Sequence, residues 1–341
     1  MKVLVFNVGS SSVKYEVFDN EKRMIKGIIE GLKKKDDFRK VMLKVSGIIS
    51  RKGISIDAVG HRVVHGGRIE RPQRINSALM KELEKVSDLA PLHNPSEIEG
   101  IRICRRIFDK PQIAVFDTAF HQSMPEKAYT YAIPSDVSGR HRIRRYGFHG
   151  TSHKYVAHEA CRRLRKDIRK QRIVTCHLGN GCSVTAIRNG KSIDTSMGMT
   201  PLEGLVMGTR SGDIDPGIMQ FLTAKGHSPK RIHNMLNKES GLLGISGLSS
   251  DMRKLLESKS RKAKLAVDVF CYRAAKYIGA YAAAMNGIDM LVFTGGIGEN
   301  SAAIRNRIRK YLGHLRIKNV LTVRTDEARM IAREVRELLG A

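Results

Sequence analysis

The chain has 341 residues, 41% hydrophobic and 28% charged, enough to bury a sizeable core and long enough for two domains. No run of 18 apolar residues occurs, which excludes a membrane-spanning helix. Lys and Arg total 61 against 33 Asp and Glu, a net charge of +28 that favours anionic partners, yet it is scattered through amphipathic segments such as Cys161-Arg-Arg-Leu-Arg-Lys-Asp-Ile-Arg-Lys170 without the aromatic or Cys/His signature of a nucleic-acid module, and reads as a basic solvated surface.

In chain order, Met1-Lys-Val-Leu-Val-Phe-Asn7 carries one charge and enters a strand-like run with no small-residue cleavage site. It does not read as a signal peptide, so the expected location is cytoplasmic. Residues 2–6 read as a strand, 7–12 as a Gly/Ser turn, 13–18 as a second strand and 24–29 as a third. Helical patterns follow at 77–90 and 152–166. The opening plan then recurs: a β-like run at 173–177, a glycine turn at 178–182, a second run at 183–187, an Asn189-Gly190 hairpin turn and a third run at 192–194. A helical stretch at 263–284 precedes the apolar run 290–293, a glycine loop and a helix-like stretch from Ser301. The charged tail 326–339 opens with an acidic turn suited to a helix N-terminus.

Side by side, Val8-Gly9-Ser10-Ser11-Ser12-Val13 matches Leu178-Gly179-Asn180-Gly181-Cys182-Ser183. Two three-stranded meanders, each followed by helices, predict two α/β domains of similar plan facing each other across a cleft. Five cysteines (Cys104, Cys161, Cys176, Cys182 and Cys271), odd in number and without a CxxC pair, read as reduced thiols rather than a disulfide framework or a zinc site.

Several stretches carry chemistry. In Asn7-Val-Gly-Ser-Ser-Ser-Val-Lys14 a Gly/Ser turn lets backbone amides and hydroxyls approach phosphate oxygens, Lys14 adds charge, and Asn7 offers a carbonyl oxygen to Mg²⁺ or its waters. The matched turn His177-Leu-Gly-Asn-Gly181 offers a second such cradle. Thr294-Gly-Gly-Ile-Gly-Glu-Asn300 follows a strand and suits a nucleotide against bare backbone. It is no dinucleotide fingerprint, since Ser301 stands where the third glycine belongs, and Thr185 excludes a Walker A loop ending at Asn189-Gly190-Lys191-Ser192. Cations flanked by glycine occur in His61-Arg-Val-Val-His-Gly-Gly67, Arg144-Arg-Tyr-Gly-Phe-His-Gly-Thr-Ser-His153 and Gly208-Thr-Arg-Ser-Gly-Asp-Ile-Asp215, as phosphoryl transfer requires. The pairs His61/His65 and His149/His153 have the i,i+4 spacing of zinc ligands, but Gly66, Gly67 and Gly150 argue against a helical frame for either.

Together these blocks resemble the acetate kinase family, within the actin/hexokinase/heat-shock ATPase architecture of duplicated ribonuclease H-like domains. The likeness runs from Asn7 to about Asn300 and resumes near Thr325. It also takes in Pro91-Leu-His-Asn-Pro95, Phe116-Asp-Thr-Ala-Phe-His121 and Ser249-Ser-Asp-Met-Arg253. The resemblance implies an enzyme that reversibly moves the ATP γ-phosphate to acetate by direct in-line transfer, giving acetyl phosphate and ADP. It implies Mg²⁺, with Mn²⁺ as an alternative, on Asn7 and Glu327, and ATP phosphates on Ser10, Ser12 and Lys14. Arg62 and Arg210 would bind the carboxylate and the transferring phosphoryl group, His149 would donate to that group, and Asp117 would be the catalytic carboxylate. The nucleotide site would comprise His177, Leu178, Gly179, Asn180, Gly181, Asp251, Met252, Arg253, Gly296, Ile297, Gly298, Glu299 and Asn300. Val64, Leu92, Phe148 and Pro201 would form a methyl-sized pocket, with His93 in support.

The same resemblance implies domains at 1–120 plus 326–341 and at 121–325, and a homodimer through the second. Against the family pattern the chain is short between the first meander and His61 and between Asn300 and Thr325, and Asp326 replaces the usual Asn. The alternatives are a propionate or butyrate kinase and, from another class, a non-enzymatic ATP-switched nucleic-acid-binding protein, which would not need Arg62, Asp117, His149 and Arg210.

Overall fold

Alternation drives the first meander. In strand β2 (Ser12–Asp19) Val13, Tyr15 and Val17 point inward while Lys14 is exposed, the period of a half-covered strand. Strand β1 (Lys2–Val8) is apolar at nearly every position because helices cover both of its faces. The computed structural model describes residues 1–9, 11–32, 35–91 and 93–341, with residues 35 and 36 as backbone only.

The first sheet adds β3 (Lys22–Glu30), β4 (Ala58–Val63), β5 (Gln73–Arg74) and β6 (Gln112–Phe116), in the order β3-β2-β1-β4-β6-β5. The meander is antiparallel, whereas β1, β4 and β6 run parallel. Helices α1 (Lys35–Arg51), α2 (Ser77–Lys85) and α3 (Asn94–Ile107) follow their strands. Leu4, Phe6, Val13 and Tyr15 pack with Met42 and Val45 of α1 and Cys104 of α3. Val3 and Val5, on the opposite face, pack with Ile331 and Val335 of the terminal helix Glu327–Leu339. Asp326 caps that helix by accepting from the Arg329 amide at 3.2 Å.

The second sheet comprises β7 (Arg172–Leu178), β8 (Cys182–Arg188), β9 (Lys191–Thr195), β10 (Met290–Thr294) and β11 (Asn319–Thr322), ordered β11-β10-β7-β8-β9. Once the edge strand β5 is set aside, the two orders are the same: a meander, then two parallel strands. The repeat anticipated from the two glycine turns is therefore structural. Its alignment needs one correction. Val8 pairs with Val13 across the first turn, but Leu178 pairs with Cys182 across the second, so the second turn is a residue shorter. Cys182 is thus the counterpart of Val13, and Ser183 that of Lys14.

The chain divides into two compact units: Met1–Gln122 with Gly150–Tyr155 and Asp326–Ala341, and Ser123–His149 with Val156–Thr325. Three local readings change. The helix expected over 77–90 stops at Lys85 and resumes as a 3₁₀ turn, Ser87–Leu89. The expected glycine loop after β10 is itself a helical turn, Gly295–Asn300. Gly150 does not break a helix but opens one, Gly150–Arg163, with His149 left-handed (φ 57°) just before it. All five cysteines are free and buried, and burial pushes the Cys182 thiol up to about 12. No helix among the described residues is long and apolar enough to cross a membrane.

Candidate active site

In open α/β sheets, ligand-facing residues gather at the carboxyl ends of the parallel strands. The first unit follows that rule. Asn7, Arg62 and Asp117 lie at or just beyond the ends of β1, β4 and β6. Arg62 grips Asp117 with two arms, Nη2 to Oδ2 at 2.5 Å and Nε to Oδ1 at 3.3 Å. Its Nη1 donates to Asn7 Oδ1 at 3.3 Å, and Nε lies 4.0 Å from Glu327 Oε2. Burial works against the guanidinium charge, but the Asp117 and Glu327 carboxylates outweigh it and raise the Arg62 pKa. Asp117 is 1% exposed and also accepts from Thr151 Oγ1 at 3.0 Å, so it is an orienting group locked in place.

Asn7 and Glu327 thus bring an amide and a carboxylate oxygen to one guanidinium. That donor set suits Mg²⁺, which takes few protein oxygens and keeps several waters. Among the described residues no three His, Cys, Asp or Glu side chains gather as a metal site. His61 Nε2 meets Gln112 Oε1 at 2.8 Å, and burial lowers the pKa of both His61 and His65 to about 4.

Val64 is buried beside this cluster, and His93 precedes α3. Lys14 faces Asn7 across the β1–β2 pairing, and Ser12 begins β2. Ser10 and Leu92 lie outside the described residues.

Sequence reasoning missed the groups that hold the Arg62 segment. Glu97 Oε2 accepts from the Val64 amide at 2.9 Å. Asn94 clamps His65 by accepting from its amide at 3.2 Å and donating to its carbonyl at 2.9 Å. Thr118 Oγ1 accepts from the Gly66 amide at 3.1 Å. Burial pushes the Glu97 carboxyl up to about 8, against the pull of the Val64 amide and Arg62. The legible signal was two polar residues three apart on α3, Asn94 and Glu97, hence on one face, in and just after a block from which Leu92 and His93 were singled out.

In the second unit His177, near the end of β7, stacks on His149 with ring centroids 4.2 Å apart. Ser183 Oγ meets His149 Nδ1 at 2.8 Å and orients the ring. A side chain added at Gly181 would begin 3.4 Å from His149 Cε1 and 3.6 Å from Arg210 Nη1, so this glycine lets both side chains approach the turn. Arg210 donates to the Pro201 carbonyl at 3.0 Å, and burial lowers its pKa from the ordinary value. The Asn180 carbonyl accepts from the Gly208 amide at 3.0 Å.

The Gly179 turn and the Gly295–Asn300 helix are neighbours: a side chain at Gly179 would begin 3.9 Å from the Gly296 nitrogen. Gly296 is exposed, Ile297 half-buried and Gly298 buried, and Asn300 donates back to the Gly296 carbonyl at 2.8 Å. Glu299 accepts from Thr294 Oγ1 and from the amides of Gly295 and Thr325, which makes it a local fastener. Leu178 and Met252 are buried, whereas Asp251 and Arg253 pair at 2.7 Å with Arg253 in solvent. Phe148 is buried and Pro201 half-buried.

A family model described as the acetokinase family matches residues 43–337. The chain belongs to that family. It is 46% identical to an acetate kinase of Carboxydothermus hydrogenoformans, over 99% of each chain. That alignment runs over 397 residues, longer than the 341-residue chain, so the relative carries segments that this acetokinase lacks. An acetate kinase of Porphyromonas gingivalis superposes with a TM-score of 0.92 at 40% identity, covering 99% of each chain. A propionate kinase of Francisella tularensis superposes with a TM-score of 0.91 at 43% identity, covering 98% of each. The chain therefore shares their two-unit α/β fold.

Proposed function

We propose that this acetokinase is an acetate kinase, a phosphotransferase with a carboxyl acceptor that exchanges a phosphoryl group between ATP and acetate. The observations that carry the reading are two half-buried arginines, each in its own unit: Arg62, locked on Asp117 beside Asn7 and Glu327, and Arg210, beside His149 at the Gly181 turn. A carboxylate is already an anion at neutral pH, so attack on phosphorus needs no general base. The obstacle is repulsion between anions. Arg62 grips the acetate carboxylate bidentately, and Asp117 holds that guanidinium in its plane. His149 and Arg210 stabilise the equatorial oxygens as the γ-phosphoryl passes in line. Asn7 and Glu327 would hold Mg²⁺, or Mn²⁺ as an alternative, which would supply positive charge to the phosphate oxygens.

The family resemblance assigns ATP or ADP to His177–Gly181, Gly296–Asn300 and Asp251–Arg253, and its phosphates to Ser10, Ser12 and Lys14. It assigns the methyl group to Val64, Leu92, Phe148 and Pro201, with His93 in support. One extra methylene is worth roughly 1–3 kcal/mol in such a pocket, so propionate is expected as a poorer second substrate. The reading places the enzyme in the cytoplasm as a homodimer through the second unit. The helix Gly217–Ala224, with Phe221 61% exposed and Met219 49%, offers it an apolar surface.

The test is acyl phosphate trapping as hydroxamate, with acetate, propionate and butyrate at matched ATP. The highest kcat/KM is expected for acetate. A clear butyrate preference would replace the substrate, and salt-sensitive nucleic-acid binding without any acyl phosphate would replace the enzyme class.

A further inference from the structure

Close in sequence to Phe148 and Pro201 lies a cluster of ionisable groups that phosphoryl transfer does not use. Arg145 Nη2 donates to Glu203 Oε1 at 2.6 Å, and the Tyr131 hydroxyl donates to Glu203 Oε2. The same hydroxyl oxygen accepts from the Met199 amide at 3.0 Å. The other arm of Arg145 donates to the carbonyls of Thr195, at 3.1 Å, and Ser196, at 3.3 Å. Glu203 and Tyr131 close over Gly198: a side chain there would begin 1.6 Å from Glu203 Oε2 and 2.1 Å from the Tyr131 oxygen. The Gly198 carbonyl in turn accepts from the amides of Tyr146 and Gly147 at 3.1 and 3.2 Å.

We propose that Tyr131, Arg145 and Glu203 are a positioning brace that sets the spacing between the segment bearing Phe148 and His149 and the loop bearing Pro201 and Arg210. The inference rests on the acetate kinase reading and names what fixes the size of its methyl pocket. Arg145 stands three residues before Phe148, and Glu203 two after Pro201, so their ion pair ties the two pocket walls together by short tethers. Arg210 depends on the same tie, because the carbonyl it donates to belongs to Pro201. Asp213, at the far end of the loop, accepts from the Gly204 amide at 2.8 Å and from the Tyr277 hydroxyl at 2.7 Å, which ties that end to the residue next to Glu203. The brace thus holds the point at which both ends of the loop meet. Arg145 is 17% exposed and Glu203 30%, so loss of one partner leaves the Arg145 side only partly compensated by solvent.

The experiment uses the full chain with Glu203→Gln, Tyr131→Phe and the double variant. Glu203→Gln is expected to raise the acetate KM about tenfold, with the ATP KM within about twofold, since the brace acts on the pocket walls. The acetate-to-propionate ratio of kcat/KM should fall about threefold or more as the pocket loosens. Tyr131→Phe should move both quantities the same way by less, and the double variant should fall short of the sum because the groups share one network. A folded Glu203→Gln with unchanged acetate KM and unchanged acid preference overturns the brace. Should that variant not fold, Tyr131→Phe decides by the same two readouts. Amide exchange over residues 196–213 separates this inference from the reading beneath it. A parent chain that makes no acyl phosphate from any acid defeats the acetate kinase reading. The brace then stands if exchange accelerates about tenfold or more in the variants, and falls if exchange is unchanged.

Discussion

The two sheets share one strand order yet present opposite chemistry at their carboxyl edges. The first edge is crowded with charge that largely neutralises itself: Arg62 lies between Asp117, Glu327 and Asn7. The second is built from a glycine turn and a glycine-rich helical turn, with Arg210 resting on a carbonyl oxygen rather than a carboxylate. A duplicated scaffold can thus divide labour. One copy holds Arg62 in a fixed place between Asp117 and Glu327, and the other keeps side chains clear of its turn, as the proposed polyphosphate site requires.

The widest separation of the two edges comes from removing each arginine. Arg62→Ala and Arg210→Ala should each lower kcat by on the order of 10³-fold, as for loss of a preorganised donor or arginine finger. Their stabilities should diverge. Arg62→Ala leaves Asp117 buried without its cation, a loss of about 3–5 kcal/mol, whereas the carbonyl that Arg210 leaves behind costs about 1–3 kcal/mol. Urea unfolding of both variants measures this, and equal midpoints would erase the distinction.

A smaller effect sharpens the picture of the first edge. The Glu97 carboxyl is raised from its usual 4.5 to about 8, so its protonated form is favoured in the folded chain. That share of stability is complete below about pH 4.5 and is lost as pH rises through about 8. The stability of the parent relative to Glu97→Gln should therefore decline between pH 5 and about 8.5, by no more than about 1.4 kcal/mol per pH unit. A difference that stays flat would place Glu97 outside this role. The smallest effect is at the terminal helix, where Asp326→Ala should cost about 1 kcal/mol as a lost N-cap.

Much of this was legible in the sequence for identifiable reasons. Strand alternation and paired glycine turns exposed both meanders, because side-chain period and turn chemistry are local properties. What stayed hidden depends on distant partners. Glu97 lies 33 residues from the amide it holds. Glu203 is 58 residues from Arg145 and 72 from Tyr131, and no local pattern announces such a triad. The one-residue offset between the turns was invisible for a related reason: register is set by pairing across the hairpin, not by the likeness of the turn residues. Likewise Gly295–Asn300 looked like a loop because its glycines suit one. The amide of Gly295 and the hydroxyl of Thr294, both held by Glu299, settle it as a helical turn.

The division of labour between the edges is tested most directly by ATP affinity and acyl phosphate formation in Arg62→Lys, which keeps a charge beside Asp117 but loses the planar fork. The account predicts an ATP Kd within about threefold of the parent, while hydroxamate-trapped acetyl phosphate falls by on the order of 10²-fold. Loss of ATP binding in step with turnover, or turnover near that of the parent, would contradict it.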